Sequence, residues 1–263
     1  MRDIIINAYK DVENLNNFDE ISLIKYRNKR LQDQDYVVNY LKDALNNKVT
    51  LLDIGSGSSA LAYSLVSENI LDYADCVEPS LSRFIFAEKW KKDTQCHNVN
   101  NHNIDVANYS SNHKYNAITI IDNTFSYIGL YYDDKEISLL INKLHDLLTS
   151  GGLLIIDVGL YTNYINQVNA SSNKVVQEFE VADSVGLWEY RLIEKNIMNI
   201  KSTYIDNTYK ILKKEENSKI YNLNEILNLF SSVGFKDVSI YSDFNKNPFI
   251  ENKSDRLTVT FKK

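Results

Sequence analysis

The chain has 263 residues, 44% of them hydrophobic and 24% charged, and a net charge of −6. Such values describe an ordinary globular protein, long enough for one α/β domain with an elaboration. The acidic balance argues against a nucleic-acid partner, which would draw on a basic footprint. No apolar run reaches the roughly 18 residues that a membrane span needs. The start, MRDIIINAYKDVEN, has neither the apolar core nor the cleavage site of a signal peptide. Cys76 and Cys96 form no disulfide framework and suit a reducing interior, so the expected address is the cytoplasm.

Residues 1–32 carry short apolar patches (Ile4-Ile5-Ile6, Leu15 with Phe18, Ile21 with Leu23 and Ile24) at roughly helical spacing. They predict an N-terminal helical arm. Asp33 is expected to cap a second helix, in which Tyr36, Val37, Tyr40, Leu41, Ala44 and Leu45 recur on one face. The run VTLLDI from Val49 predicts the first strand, and Leu61, Leu65, Val66 and Ile70 the helix after it. Tyr73 to Val77 predicts a second strand that closes on Glu78-Pro79-Ser80. Ser80 or Ser82 is expected to cap a helix from Leu81 to Lys92 that buries Phe84, Ile85, Phe86 and Trp90. His97 to Val106 reads as a third strand with Asp105 at its end, and Tyr115 to Asp122 as a fourth. Residues 133–148 form an amphipathic helix, after which Ser150-Gly151-Gly152 leads into a fifth strand, LLIIDV. Strands alternating with helices in this way mean a parallel, doubly wound α/β sheet.

After Gly159 the pattern changes. VVQEFEVAD, LWEYRLIEKNIM and STYIDNTYKIL alternate and are rich in aromatic and β-branched residues, which predicts a small antiparallel cap. A helix from Leu223 to Val233 and strands at Val238 to Phe244 and Arg256 to Lys262 close the chain. The expected division is an arm (1–47), a core (48–159), a cap (160–221) and a C-terminal part completing the core sheet (222–263).

The chain has only 8 glycines, so Gly55 and Gly57, two within three residues, stand out. A strand breaking into a glycine turn and then a helix leaves backbone N–H groups free at a helix N-terminus, open to a ligand's polar tail. Gly55-x-Gly57-x-x-Ala60 also satisfies the dinucleotide-binding pattern. Three acids favour another ligand. Asp53 stands two residues before the first glycine, at a position usually apolar in dinucleotide binders. Glu78 ends the second strand, where a carboxylate accepts bonds from both ribose hydroxyls. Asp105, near the end of the third strand, can meet an adenine amino group. Acids at successive strand ends suit a small cationic nucleoside better than a pyrophosphate. The competing reading is a structural turn with solvated strand-end acids.

With LLDIGSGSS, CVEPS, NIDV, AITIIDNTFSYI and LTSGGLLIIDV in that order over residues 49–158, the chain resembles the class I S-adenosylmethionine-dependent methyltransferases. The resemblance implies a Rossmann-like, mostly parallel seven-stranded sheet whose last strand runs antiparallel. It implies S-adenosyl-L-methionine as cofactor, released as S-adenosyl-L-homocysteine. The matching motifs carry over Asp53, Gly55, Ser56, Gly57, Glu78, Pro79, Asp105 and Val106 as cofactor contacts. Asp122, Asn123 and Ser126 join them after the fourth strand, with Asp122 steadying the methionine ammonium. Tyr26 and Arg30 are expected to close over the site, the guanidinium on the cofactor's carboxylate; against this stands a solvated basic face. Asn123 and Tyr127 are the expected residues around the transferred methyl group. Tyr127, Trp188, Tyr190 and Tyr204 either cage the acceptor or belong to the core.

Two departures matter. Ser59 replaces the first motif's third glycine, and Asp122-Asn123-Thr124-Phe125 lacks the Pro-Pro of amino-group DNA methylases. The second argues against DNA or RNA substrates. Cys96, His97 and His102 match no zinc spacing, and no metal is expected. The helical arm, NTFSYI and the meander cap look most like small-molecule N-methyltransferases acting on amino acids or nucleotide-linked amino sugars. The expected reaction is therefore in-line methyl transfer to an amine of a small-molecule acceptor. No nucleic-acid or membrane partner is expected, and the protein would be a monomer or homodimer. The alternatives are O-methylation of a sugar or phosphorylated precursor of a surface glycan, a non-catalytic cofactor-binding subunit, and a nicotinamide oxidoreductase.

Overall fold

The computed structural model describes residues 20–45, 48–170, 174–181, 184–205 and 211–263. Strand β1 (Val49–Ile54) lies at the centre, parallel to β2 (Leu71–Val77) and to β4 (Tyr115–Ile120). Leu51 sits in register with Ala74 on one side and Ala117 on the other. With β3 (Val99–His102), β5 (Leu148–Gly159), β10 (Lys236–Tyr241) and β11 (Arg256–Lys262), they form a seven-stranded sheet ordered β10-β11-β5-β4-β1-β2-β3. Only β11 runs against its neighbours. The winding direction reverses between β1 and β4, the place where such sheets open a crevice at their carboxyl edge.

Alternate residues of β1 serve opposite faces of the sheet. Leu52 and Ile54 pack with α4 (Thr124–Tyr131), α5 (Asp134–Leu147) and α7 (Leu223–Ser231). Val49 and Leu51 pack with α1 (Glu20–Ala44), α2 (Ala60–Ser67) and α3 (Leu81–Thr94). Capping boxes start two of these helices: Asp133 with Glu136 at α5, and Asn222 with Glu225 at α7. Behind the core, β6 (Val175–Val181), β7 (Ser184–Glu194), β8 (Ile197–Ile205) and β9 (Ile211–Lys219) form a separate antiparallel sheet. Its edge strand β9 packs against α4. Helix α6 (Thr162–Ala170) joins the two sheets. No helix among the described residues is long and apolar enough to cross a membrane.

Several expectations need correction. Asp33 caps nothing, because α1 runs unbroken through it. Residues 20–44 contain neither glycine nor proline, and the Asp33 carboxylate pairs with Lys29 and Arg30 one turn back instead. Residues 1–19 of the predicted arm lie outside the described residues. Ile85 is 42% exposed, since the buried stripe of α3 is Phe86, Ala87 and Trp90. Ser80 stands at the N-cap position of α3 but makes no side-chain cap bond, its hydroxyl instead lying 3.4 Å from that of Ser82. Strand β3 stops at His102, and the chain turns before Asp105, whose carboxylate accepts from Ala107 N at 2.9 Å. Helices α4 and α6 were not expected; both are short and interrupt segments whose tyrosines and isoleucines suit strands equally well.

Candidate functional site

The carboxyl edge of β1 turns on two glycines with positive φ, +69° at Gly55 and +57° at Gly57. A Cβ at Gly55 would stand 2.5 Å from both Cγ2 and Oγ1 of Thr124, so only glycine lets the start of α4 approach. The N–H groups of Gly55 and Ser56 both donate to the Val77 carbonyl, at 2.8 and 3.2 Å, which ties the turn to the end of β2. There Glu78 grips the same turn. Its Oε2 accepts from Gly57 N and its Oε1 from Ser80 N, each at 2.8 Å. The glycine turn and the strand-end acid therefore form one unit.

Asp53 is 2% exposed and accepts a 2.6 Å bond from the Thr119 hydroxyl. Burial pushes its pKa up to about 7, and the charges of Asp122 and Glu78 add to that rise against the Thr119 bond. Asp105 receives the Tyr132 hydroxyl. Asp122 adopts φ +53° after β4 and faces Arg30 of α1 at 3.8 Å.

One cavity of about 200 Å³ gathers these groups. Its wall holds Asp53, Gly55, Ser56, Gly57, Glu78 and Pro79, and also Asp105, Val106, Asp122, Tyr127 and Arg30. Three expected contacts lie elsewhere. Tyr26 packs edge-on against Phe86 with ring centroids 5.1 Å apart, inside the α1–α3 core. Ser126 is fully buried, and its hydroxyl donates to Asn123 Oδ1. Asn123 has φ +67°, and its amide is committed to Gly159 N and the Tyr161 hydroxyl. Of the expected cage, Tyr127 lines the cavity and, among the described side chains, Trp188 and Tyr190 do not. Tyr190 is 4% exposed, stacked on Tyr164 at 4.1 Å with Trp188 edge-on, as core aromatics pack. The Tyr204 side chain lies outside the described residues.

Solved structures share this architecture. A S-adenosylmethionine-dependent methyltransferase from Clostridium acetobutylicum superposes with a TM-score of 0.73 at 16% identity, over 87% of this chain and 89% of that one. The CcbJ methyltransferase from Streptomyces caelestis gives 0.71 at 15%, over 87% and 88%. The amino pentose methyltransferase of calicheamicin biosynthesis from Micromonospora echinaspora, solved with S-adenosylmethionine bound, gives 0.65 at 11%, over 94% and 98%. The fold is the methyltransferase fold. No protein-family model matches the sequence, and no curated protein does so significantly.

Within this methyltransferase fold, further residues complete the cavity wall. Gln34 stands one helical turn after Arg30 on α1, and Thr124 directly follows the strand-four turn. The α1 spacing would have found Gln34. Arg83 reaches the glycine turn, its guanidinium 2.8 Å from where a Gly57 Cβ would lie. Edge strand β9 contributes Glu215, Glu216 and Asn217, which no local pattern links to a motif some 160 residues earlier. The lining residues then include six acids (Asp53, Glu78, Asp105, Asp122, Glu215, Glu216) and two arginines, Arg30 and Arg83, with Glu215 paired to Lys201 and Glu216 to Lys214. Such a cavity focuses a field that favours cations.

Behind it, Asp157 of β5 is 1% exposed and pairs with both Nε and Nη2 of Arg256 on β11. The same carboxylate accepts Asp122 N at 3.2 Å. An ion pair with a buried carboxylate and a half-exposed guanidinium thus sets the turn that carries Asp122.

Proposed function

We propose that the chain is a S-adenosylmethionine-dependent methyltransferase acting on an amine of a small-molecule acceptor. Residues 48–159 and 222–263 then form the cofactor unit, and residues 160–221 its cap. One observation carries the reading: the glycine turn, the acids Asp53, Glu78 and Asp105, and the acidic strand β9 share the wall of a single cavity.

The wall fits the cofactor. Gly55, Ser56 and Gly57 stand on the cavity wall, although their N–H groups, expected to be free, donate to the Val77 carbonyl and to Glu78. Ser56 Oγ and Arg30 Nε are buried without a hydrogen-bond partner among the described residues, and a ligand's polar groups would satisfy them. Glu78, which ends β2 on the same wall, would take the ribose hydroxyls. Asp105 would take the adenine amino group. Asp53 and Asp122 would hold the methionine ammonium, and Arg30 the methionine carboxylate.

When bound, S-adenosylmethionine supplies a methyl group already activated by its sulfonium. The protein's work is then alignment and exclusion of water. Ile121, Tyr127 and Ile128 give the wall its dry part. Holding reactants in line lowers a barrier by about 7–11 kcal/mol. An amine attacks through its lone pair, so an acceptor that binds as an ammonium first gives a proton to a wall carboxylate or to water, and the excess of carboxylates suits the cationic partners of such a reaction. The amino pentose methyltransferase among the similar structures supports an amine-bearing acceptor.

Thermal shift with two ligands tests this reading. S-adenosylhomocysteine should raise the melting temperature and NADH should leave it unchanged. A rise with NADH alone would end the methyltransferase reading in favour of an oxidoreductase.

A further inference from the structure

We infer that Glu216, on the cap strand β9, selects the acceptor, and that it selects a cationic amine carrying no phosphate. This rests on the methyltransferase reading of the cavity and goes beyond it by naming the residue and the substrate class.

Glu216 lines the same cavity as the glycine turn, though it comes from the other sheet. Residues two apart on a strand share a face, so Glu216 lies on the side of β9 that carries Ser218. Ser218 is fully buried, and its hydroxyl receives the Tyr161 hydroxyl at 3.3 Å. Tyr161 in turn receives Asn123 Nδ2 from the turn after β4. That relay fixes the face bearing Glu216 against the edge of the core sheet. Tyr161 and Asn123 both hold positive φ, +55° and +67°, a conformation that non-glycine residues keep only where their surroundings impose it. Register places Glu216 beside Ile200 and, one strand further, Tyr190. Its charge reaches the Tyr161 and Tyr190 phenols and helps to push both up.

Glu216 already holds an ammonium. Lys214 Nζ lies 2.5 Å from its Oε2, with the two side chains 20% and 23% exposed. Lys214 does not line the cavity, and its contact with Glu216 is made at Oε2. An acceptor ammonium can therefore join the same carboxylate from the cavity side, in the kind of contact Lys214 makes. A phosphate there would meet Glu216 and the Asp122 of the same wall, while Glu215 points to the other face of β9 and pairs with Lys201. The two guanidiniums of the wall are placed otherwise: Arg83 at the glycine turn, Arg30 between Asp33 and Asp122. Like charge rejects a partner as effectively as a clash does. The class excluded includes nucleotide-linked sugars, whose diphosphate needs cations.

Calorimetric titration of the protein saturated with S-adenosylhomocysteine tests this. The probes are D-glucosamine and D-glucosamine 6-phosphate, one amine with and without the phosphate. The wild type should bind the free amino sugar at least about tenfold more tightly. Glu216→Gln should weaken that binding by about tenfold or more, and Glu216→Lys should reverse the preference between the two probes. Both variants should bind S-adenosylhomocysteine as the wild type does, which shows that they fold. Equal binding of the probes, binding of neither, or undiminished amine affinity in Glu216→Gln overturns the inference alone. Failure of the wild type to bind S-adenosylhomocysteine overturns the methyltransferase reading as well.

Discussion

Asn123 donates its side-chain amide to the Tyr161 hydroxyl, and through it the strand-four turn is tied to the cap at Ser218. The contact needs Gly159, where a Cβ would meet the Tyr161 ring at 3.0 Å and Asn123 Oδ1 at 3.2 Å. Asn123 is therefore a bridge between two sheets, and its amide is spent on that bridge.

Tyr161→Phe keeps the ring and removes the bridging hydroxyl. It should lower stability by about 1 kcal/mol, the net worth of such a bond. Affinity for S-adenosylhomocysteine should stay unchanged, because Tyr161 does not line the cavity. Hydrogen exchange separates positioning from mere stability. S-adenosylhomocysteine should slow exchange of the β9 amides in the wild type and do so far less in Tyr161→Phe. Equal protection in both proteins would show that the relay does not join the cap to the cofactor side.

Gly55→Ala should damage the site for two separable reasons. Its φ of +69° disfavours any L side chain, and the new methyl would overlap Thr124. The backbone strain alone costs about 1 kcal/mol. Adding Thr124→Ala removes both clashing atoms and should recover part of the lost stability and none of the strain. Urea unfolding of the single and double variants measures the split. Full recovery in the double variant would show that φ costs nothing there.

The motif from Val49 to Ser59 was legible because everything that shapes it is local. A buried strand, two of the chain's scarce glycines and a following helix are all properties of neighbouring residues. The acids at 53, 78 and 105 followed from the ends of strands, and all three line one cavity. Asn123 and Ser126 follow Asp122 in sequence but turn away from the cavity, because the chain passes through φ +53° and +67° there. Backbone sign is not written in residue identity when the residues are Asp and Asn, which tolerate the left-handed region. Tyr26 failed for a similar reason. Its position on α1 gave a helical face, while Phe86 on α3, about 60 residues later, decides which way that face looks. Glu215, Glu216 and Asn217 were invisible for lack of any local signal, since only the pairing of β9 with β8 and its packing on α4 bring them to the wall.

Asp53 gives the site a pH signature. Its folded pKa of about 7 lies above the ordinary carboxylate value. The folded state then holds a proton that the unfolded state has released between about pH 4 and 7, so this group's contribution to stability falls as pH rises through that window. Asp53→Asn keeps an acceptor for the Thr119 hydroxyl and cannot ionise. The melting temperature of the ligand-free variant should drop less than that of the wild type from pH 5 to 7.5. At pH 7.5 the variant should also bind S-adenosylhomocysteine at least about tenfold more weakly, having lost a charge facing the ammonium. A variant whose melting temperature follows the wild-type pH curve would show that Asp53 is already ionised in the free protein.

The Asp157–Arg256 pair behind the site should be worth more to the fold than its half-wet partner suggests. Arg256 is 48% exposed in its side chain, whereas Asp157 is 1% exposed. Burial pushes the Asp157 carboxyl up and Arg256 pulls it back. Arg256→Met removes that opposing charge and leaves a carboxylate inside the sheet, supported among the described residues by the bonds from Asp122 N and Thr258. Losing one partner of a buried pair costs about 3–5 kcal/mol, and the exposure of Arg256 puts this case near the lower end. Asp157→Asn added to Arg256→Met takes the stranded charge away and should recover a substantial part of the loss in urea unfolding. The single variant should also bind S-adenosylhomocysteine more weakly, because Asp157 accepts the N–H of Asp122, the residue that pairs with Arg30 on the cavity wall. A loss below about 1 kcal/mol in Arg256→Met, or a double variant no more stable than the single one, would mean that water already solvates Asp157.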